Sequence, residues 1–514
     1  MNARAFKPDA ASIVFATLVI TIAGVPIATA LGSIITAIPD ASLDIRWAVL
    51  ARTLAWAVGI GALATLLALP IAFATRGLTA RWSPLAALPL LMPMPLVYAG
   101  LNLFRAPGTV VGDWLAMGPS WRAIAAGRVV AVLGLALWST PIAAAVLASG
   151  VRSIDRSLSE STSLEGAGPI RRALTTLAAM RSSLIAATSV VAVVMTGSAI
   201  PLHLAQLNTY SLTLWLELAA AATAARGTVW LAAVPILIIA CAASLAIARL
   251  ITRAARGPDD PLEPPRARLP WQLVALALIA LGSIAPLALF ARELSTLDTF
   301  AVLWRPEQGA VPQSALVAAV VALTGALIAW TTRGAVVARP RLTALGLALL
   351  LTTALAPGVL VGSAISNAWS AIPAVADTPA VLVLAHLARL AALAALLGVL
   401  IAAAEPRSRR DARALEGATG LFTSLRASGD ALLSAAVGIA LAAMSLGEIE
   451  ASIMVQPPGG ESVARSMLNM LHFARYEHLS GLVLLIATPA AALGAIAWLV
   501  LTLGRTLHHR RTLR

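Results

Sequence analysis

The chain has 514 residues, 59% of them hydrophobic and 12% charged, with a formal net charge of +14. Soluble domains are about 45–50% apolar and about 25% charged, so a water-soluble globular protein is excluded. Lys7 is the single lysine, in Ala5-Phe6-Lys7-Pro8, so the chain lacks the lysine-bearing glycine loop of a Walker A motif and has no P-loop of its own.

Arginine makes up nearly all of the basic excess, and in a chain this apolar it points to membrane topology rather than to a nucleic-acid partner. Cys241 stands alone in an apolar run, which excludes an intrachain disulfide and a cysteine-built metal site. Arg4 and Lys7 precede an apolar run containing Ala28-Thr29-Ala30, which mimics a signal-peptidase site. The run extends from about Ala11 to Ile38, too long for a signal core, and reads as a retained first span.

A crossing helix needs about 20 mostly apolar residues, and twelve segments qualify. They lie near 12–36, 47–75, 83–104, 125–150, 183–204 and 228–252, then 271–291, 313–332, 342–368, 379–404, 431–455 and 481–504. Their all-round hydrophobicity predicts an all-α integral membrane fold of about 12 transmembrane helices. Trp47, Trp271 and Trp304 fall near proposed ends, where aromatic belts form. Arginines collect on alternate connections: Arg76 and Arg81; Arg152, Arg156, Arg171 and Arg172; Arg253 and Arg256; Arg333 and Arg339; Arg407 to Arg413; and the Arg510–Arg514 tail. Basic residues mark the cytoplasmic side, so both termini are expected there, in a multi-pass plasma (inner) membrane protein.

Residues 253–270 are rich in proline, arginine and glycine and read as a cytoplasmic linker between halves 1–252 and 271–514, each with six spans. Even halves call for a search for repetition. Leu164-Glu165-Gly166-Ala167 and Leu415-Glu416-Gly417-Ala418 are identical, lie 251 residues apart, and fall between the fourth and fifth spans of each half. Each has an acid six residues before its glycine, Glu160 and Asp411.

This duplicated loop resembles the E-A-A-x-x-x-G-A signature of permease subunits of ATP-binding-cassette importers. Two six-helix halves in one chain are similar to the ferric-iron and thiamine permeases of that type I class. Arg52-Thr53, Ala356-Pro357-Gly358-Val359-Leu360-Val361-Gly362, and Gly447-Glu448 followed by Gln456-Pro457-Pro458-Gly459-Gly460 add to the likeness. Ser161 and Thr162 replace the two alanines of the first copy, and Arg413 replaces the second alanine of the other. The resemblance implies a substrate pathway for an ATP-dependent importer, with ATP hydrolysis on separate ATP-binding-cassette subunits, a homodimer, and delivery by an extracytoplasmic substrate-binding protein. Ferric iron is the implied cargo, ahead of thiamine and polyamines.

The coupling loops would then be Glu160, Glu165, Gly166 and Ala167, with Asp411, Glu416, Gly417 and Ala418. Each is expected to be a polar helical hairpin turned at its glycine. Glu448 and Glu450, with Asn208 and Tyr210 at the matching place of the first half, are the pathway candidates, since membrane charges usually mark a route. His203 and His386 read as satisfied core residues. No catalytic constellation, cofactor site or tightly spaced metal-ligand set is visible, so a membrane enzyme is not expected. The alternative is a 12-helix secondary transporter of major-facilitator layout. It is disfavoured by the loops and by span centres nearly free of acids and bases.

Overall fold

The computed structural model describes residues 10–38, 45–74, 83–152, 161–162, 164–221, 226–254, 269–296, 298–405, 430–473 and 475–512. Every regular element among them is helical. Helix α1, Ala10–Ala37, carries a π-turn over Ile20–Gly24 just ahead of Pro26. Proline has no N–H to continue the ladder, and a π-turn is a common way to absorb such a break. Helix α2 is Trp47–Ala74, and α3 (Leu85–Leu91) bends by 86° into α4 (Met94–Arg105). Short α5, Val110–Ala116, begins at Thr109, whose hydroxyl caps the Gly112 N–H, and leads to the 33-residue α6, Ser120–Arg152.

Helix α7, Pro169–Ala179, bends by 64° into α8, Arg181–Gly197, followed by α9 (Ile200–Leu204), α10 (Tyr210–Ala220), α11 (Arg226–Ala232) and α12 (Val234–Ala254). Next in order come α13 (Leu269–Arg292), α14 (Asp298–Glu307) and α15 (Ala310–Ala338). Helix α16, Pro340–Leu355, turns by 112° into α17, Gly358–Trp369. Short α18 (Pro373–Ala376), α19 (Ala380–Ala403), α20 (Asp430–Ser445), α21 (Val463–His472) and α22 (Tyr476–Thr512) complete the order.

Among the described residues eight helices are long and apolar enough to cross a membrane, or up to eleven if each of the three bent pairs is one span. The twelve crossings expected are therefore met in part. The eleventh expected segment, 431–455, is crossed only in part by the 16-residue α20, which stops at Ser445 ahead of a 3₁₀ turn at Ser452–Met454. Two of the sharp bends have one cause. Met92 (φ −89°, ψ 133°) and Ala356 (φ −66°, ψ 156°) are extended because each precedes a proline. Pro93 (φ −53°, ψ 131°) and Pro357 (φ −52°, ψ 127°) then open the next helix with almost the same backbone.

The two halves interlock. From the first half, α1 packs on α15 and α12 on α16, whereas α13 of the second half packs on α2, α4 and α6. One apolar core accordingly unites Phe15, Val19 and Ala248 with Val321, Leu347 and Leu351. Another unites Ala275 and Ile279 with Ile60, Ala64 and Leu135. Trp47, Trp271 and Trp304 are exposed at helix ends, where an interfacial belt needs them. At one end of the bundle Arg333 Nη2 meets Glu405 Oε2 at 3.1 Å, both side chains buried.

Candidate functional site

A helix that stops inside an apolar bundle leaves carbonyls without partners, and each needs a donor from elsewhere in the chain. At the α16–α17 break the donor is Arg389, near the middle of α19. Its Nη1 donates to the carbonyls of Ala354 and Ala356, each at 2.7 Å. At the α3–α4 break the donor is Trp138 of α6, whose Nε1 donates to the Met92 carbonyl at 2.9 Å. Trp138 and Arg389 lie 251 residues apart, the separation of the two Leu-Glu-Gly-Ala copies.

Arg389 brings a charge that the indole does not. Two carboxylates answer it: Glu450 Oε2 lies 3.6 Å from Nη2 and Glu448 Oε1 lies 3.9 Å from Nε. Glu450 is buried, and its Oε1 accepts the backbone N–H groups of Ala199 at 2.9 Å and Ile200 at 3.3 Å. Those groups open α9, where unpaired N–H groups favour an anion. Glu448 Oε1 accepts the Ala451 N–H at 3.1 Å, which caps the turn after α20. Close approach depends on Gly358, since a Cβ there would lie 2.5 Å from the Glu450 Cβ.

His386, one helical turn before Arg389, is buried and uses both ring nitrogens: Nδ1 with Ser445 Oγ at 2.6 Å and Nε2 with Ser452 Oγ at 2.8 Å. It ties the end of α20 to the 3₁₀ turn beyond the break, the satisfied core histidine expected of it. His203, half-buried in α9, packs edge-on against Trp215 at 5.9 Å, and burial, then His472, hold its pKa below the ordinary value.

The breaks also meet across the halves. A Cβ on Gly197, the last residue of α8, would lie 2.6 Å from the Leu355 carbonyl oxygen at the α16–α17 break. A Cβ on Gly447, just after α20, would lie 2.4 Å from Pro93 Cγ at the α3–α4 break. Each half therefore presses a glycine onto the other half's broken helix.

Of the pathway candidates, Glu448 and Glu450 meet in this cluster. Asn208 and Tyr210 are placed elsewhere: Asn208 is exposed, and Tyr210 is buried in the apolar cluster of Leu50, Trp230 and Leu360. The Tyr210 N–H donates to Thr53 Oγ1 at 2.8 Å and its hydroxyl to the Ala232 carbonyl at 2.6 Å, so it joins α10 to α2 and α11. Arg389 is the residue that sequence reading passed over. Its signal was present: a lone arginine near the middle of the apolar segment 379–404, an exception to span centres otherwise poor in charge.

In the first loop copy, Glu165 and Gly166 are exposed and Ala167 is buried. Gly166 has φ +68°, and the Ala167 N–H reaches back to the Thr162 carbonyl at 3.1 Å. This is the glycine-terminated helix end expected of the hairpin. Gly168 and Pro169 then start α7, with Arg172 Nε donating to the Ala167 carbonyl at 2.7 Å. Helix α7 buries no residue and exposes Ile170 and Leu174. Glu160, Asp411, Glu416, Gly417 and Ala418 lie outside the described residues. Among the described residues no group of three or more His, Cys, Asp or Glu is placed to hold a metal ion. No family profile, curated protein or solved structure matches the chain.

Proposed function

We propose that this chain is the membrane-spanning permease of an ATP-dependent importer, worked by separate ATPase subunits through its two Leu-Glu-Gly-Ala loops. The observation that carries the reading is the exposed turn at Glu165–Gly166, in a motif repeated 251 residues on. Leu164, Ile170 and Leu174 near it are all exposed, and apolar side chains there suit a partner subunit better than water.

A mechanical route follows from the chain order. The first loop leads through α7 into α8, and the second, by its place in the sequence, leads into α20. Helix α8 ends at Gly197, and α20 is followed at once by Gly447, each glycine lying against the break of the opposite half. Pushing on both loops moves those ends and strains the Glu450 bonds to Ala199 and Ile200, which opens the pathway between the halves. The cargo enters from an extracytoplasmic binding protein. Ferric iron is the proposed cargo, with Glu448 and Glu450 supplying hard oxygen ligands once released from Arg389.

The test exchanges Gly166 and Gly417 for valine, then measures co-purification of the ATPase and uptake into cells. Loss of both is expected; unchanged assembly and uptake would sink the coupling role. The buried Arg389–Glu448–Glu450 group also favours a second reading, a secondary transporter using these charges for ion coupling. Uptake into vesicles separates the two. An importer needs ATP and its ATPase, and a secondary transporter needs only an ion gradient.

A further inference from the structure

We infer that the pocket between α14, α21 and the start of α22 binds a small organic cation, with a primary ammonium held by Glu307 and an apolar body held by Met470 and Phe473. The cavity measures about 410 Å³, within the range of small-ligand sites. Glu307, Ser466, Asn469, Met470 and Phe473 contribute to its wall. The last four fall at i, i+3, i+4 and i+7, so the end of α21 turns one face to the cavity.

Glu307 is the unusual member. It is buried, yet its Oε2 has no hydrogen-bond partner. No basic group stands within ion-pair distance of it among the described residues. It is also the last residue of the ten-residue α14, so its negative charge sits at the negative end of a helix, where a cation is favoured. Ser466 donates one hydrogen bond to the carboxyl, and the nearby Glu461 adds more negative charge. A buried carboxylate in that position lacks its counterion, and a bound cation would supply it.

The rest of the wall selects the kind of cation. A single carboxylate with one hydroxyl and one amide falls short of the six to eight oxygens that calcium takes. An ammonium needs only about three acceptors, which Glu307, Ser466 and Asn469 provide. Phe473, an exposed member of the wall, offers an aromatic surface of the kind that attracts a cation. Arg475 and His478 also line the cavity, with Val302, Leu303 and Pro306. Arg475 is exposed, so solvent screens its repulsion of an entering cation.

The inference is independent of the importer reading, because binding is measured on this chain alone in lipid nanodiscs. Benzylamine, its neutral analogue benzyl alcohol, and calcium chloride are titrated calorimetrically. Saturable one-to-one binding of benzylamine is expected, weakened about tenfold or more by Glu307→Gln. Met470→Trp, which fills the cavity, abolishes it, and Glu217→Gln leaves it unchanged. Thermal melts confirm that each variant is folded. Absence of saturable benzylamine binding overturns the inference. Equal binding of benzyl alcohol, wild-type affinity in folded Glu307→Gln and Met470→Trp, or a response to calcium alone does the same.

Discussion

Trp138 and Arg389 do the same task in the two halves, each donating to the carbonyl stranded before a helix-breaking proline: Met92 O at 2.9 Å and Ala356 O at 2.7 Å. The first half closes its break with a neutral indole. The second uses a guanidinium, which then requires Glu448 and Glu450. One substitution of chemistry at equivalent positions makes the second half polar where the first is apolar.

Removal of the two donors should therefore be unequal in effect. Trp138→Phe leaves one carbonyl unpaired, at a cost of about 1–3 kcal/mol. Arg389→Met leaves the Ala354 and Ala356 carbonyls without that donor and two carboxylates without their cation, at a cost of about 3–5 kcal/mol. Thermal unfolding in detergent measures both. A smaller loss for Arg389→Met than for Trp138→Phe would contradict the charge assignment.

Glu450 holds the first half through its Oε1, so an acceptor oxygen at that position matters more than its charge does. Glu450→Gln should keep the bonds to Ala199 and Ile200, whereas Glu450→Ala should lose them. Amide hydrogen exchange at residues 199 and 200 reads this directly. Protection is expected to persist in the glutamine variant and to collapse in the alanine variant. Equal protection in both would remove Glu450 from the contact.

Gly197 and Gly447 are each pressed against the opposite half with no room for a Cβ. Alanine at either place forces backbone or proline-ring displacement, a cost of about 1–3 kcal/mol. The double variant should lose more than either single one, seen as a lower unfolding temperature and faster proteolysis. Gly32, where a Cβ meets nothing within 4 Å, is the control and should accept alanine.

Glu307 gives stability a pH signature. Burial raises its pKa, Ser466 opposes that, and Glu461 adds to it. With the folded pKa above the unfolded one, the folded state binds the proton more tightly. Stability from this group is then full below the ordinary carboxylate range and falls as pH rises toward the raised value. Glu307→Gln should melt higher than wild type at pH 7, and the advantage should vanish near pH 4. An advantage that grows on acidification would reverse the sign and refute the burial argument.

The sequence alone determined that the chain is a helical membrane protein and where its apolar segments lie; the breaks within them came from the structure. Hydropathy and a duplicated Leu-Glu-Gly-Ala are local properties, readable without knowing what packs on what. Glu448 and Glu450 were legible for the same reason, as charges where charge is costly. Their company was decided by tertiary structure. Arg389 reaches Ala354, Glu450 reaches Ala199, and Gly447 meets Pro93, through pairings separated by 35, 251 and 354 residues. The exchange of α1 and α13 between the halves and the partnerless Oε2 of buried Glu307 arise in the same way. A stranded carbonyl or carboxylate announces only that it needs a partner. Which side chain answers depends on the rotation and crossing of distant helices, and no stretch of sequence encodes that by itself.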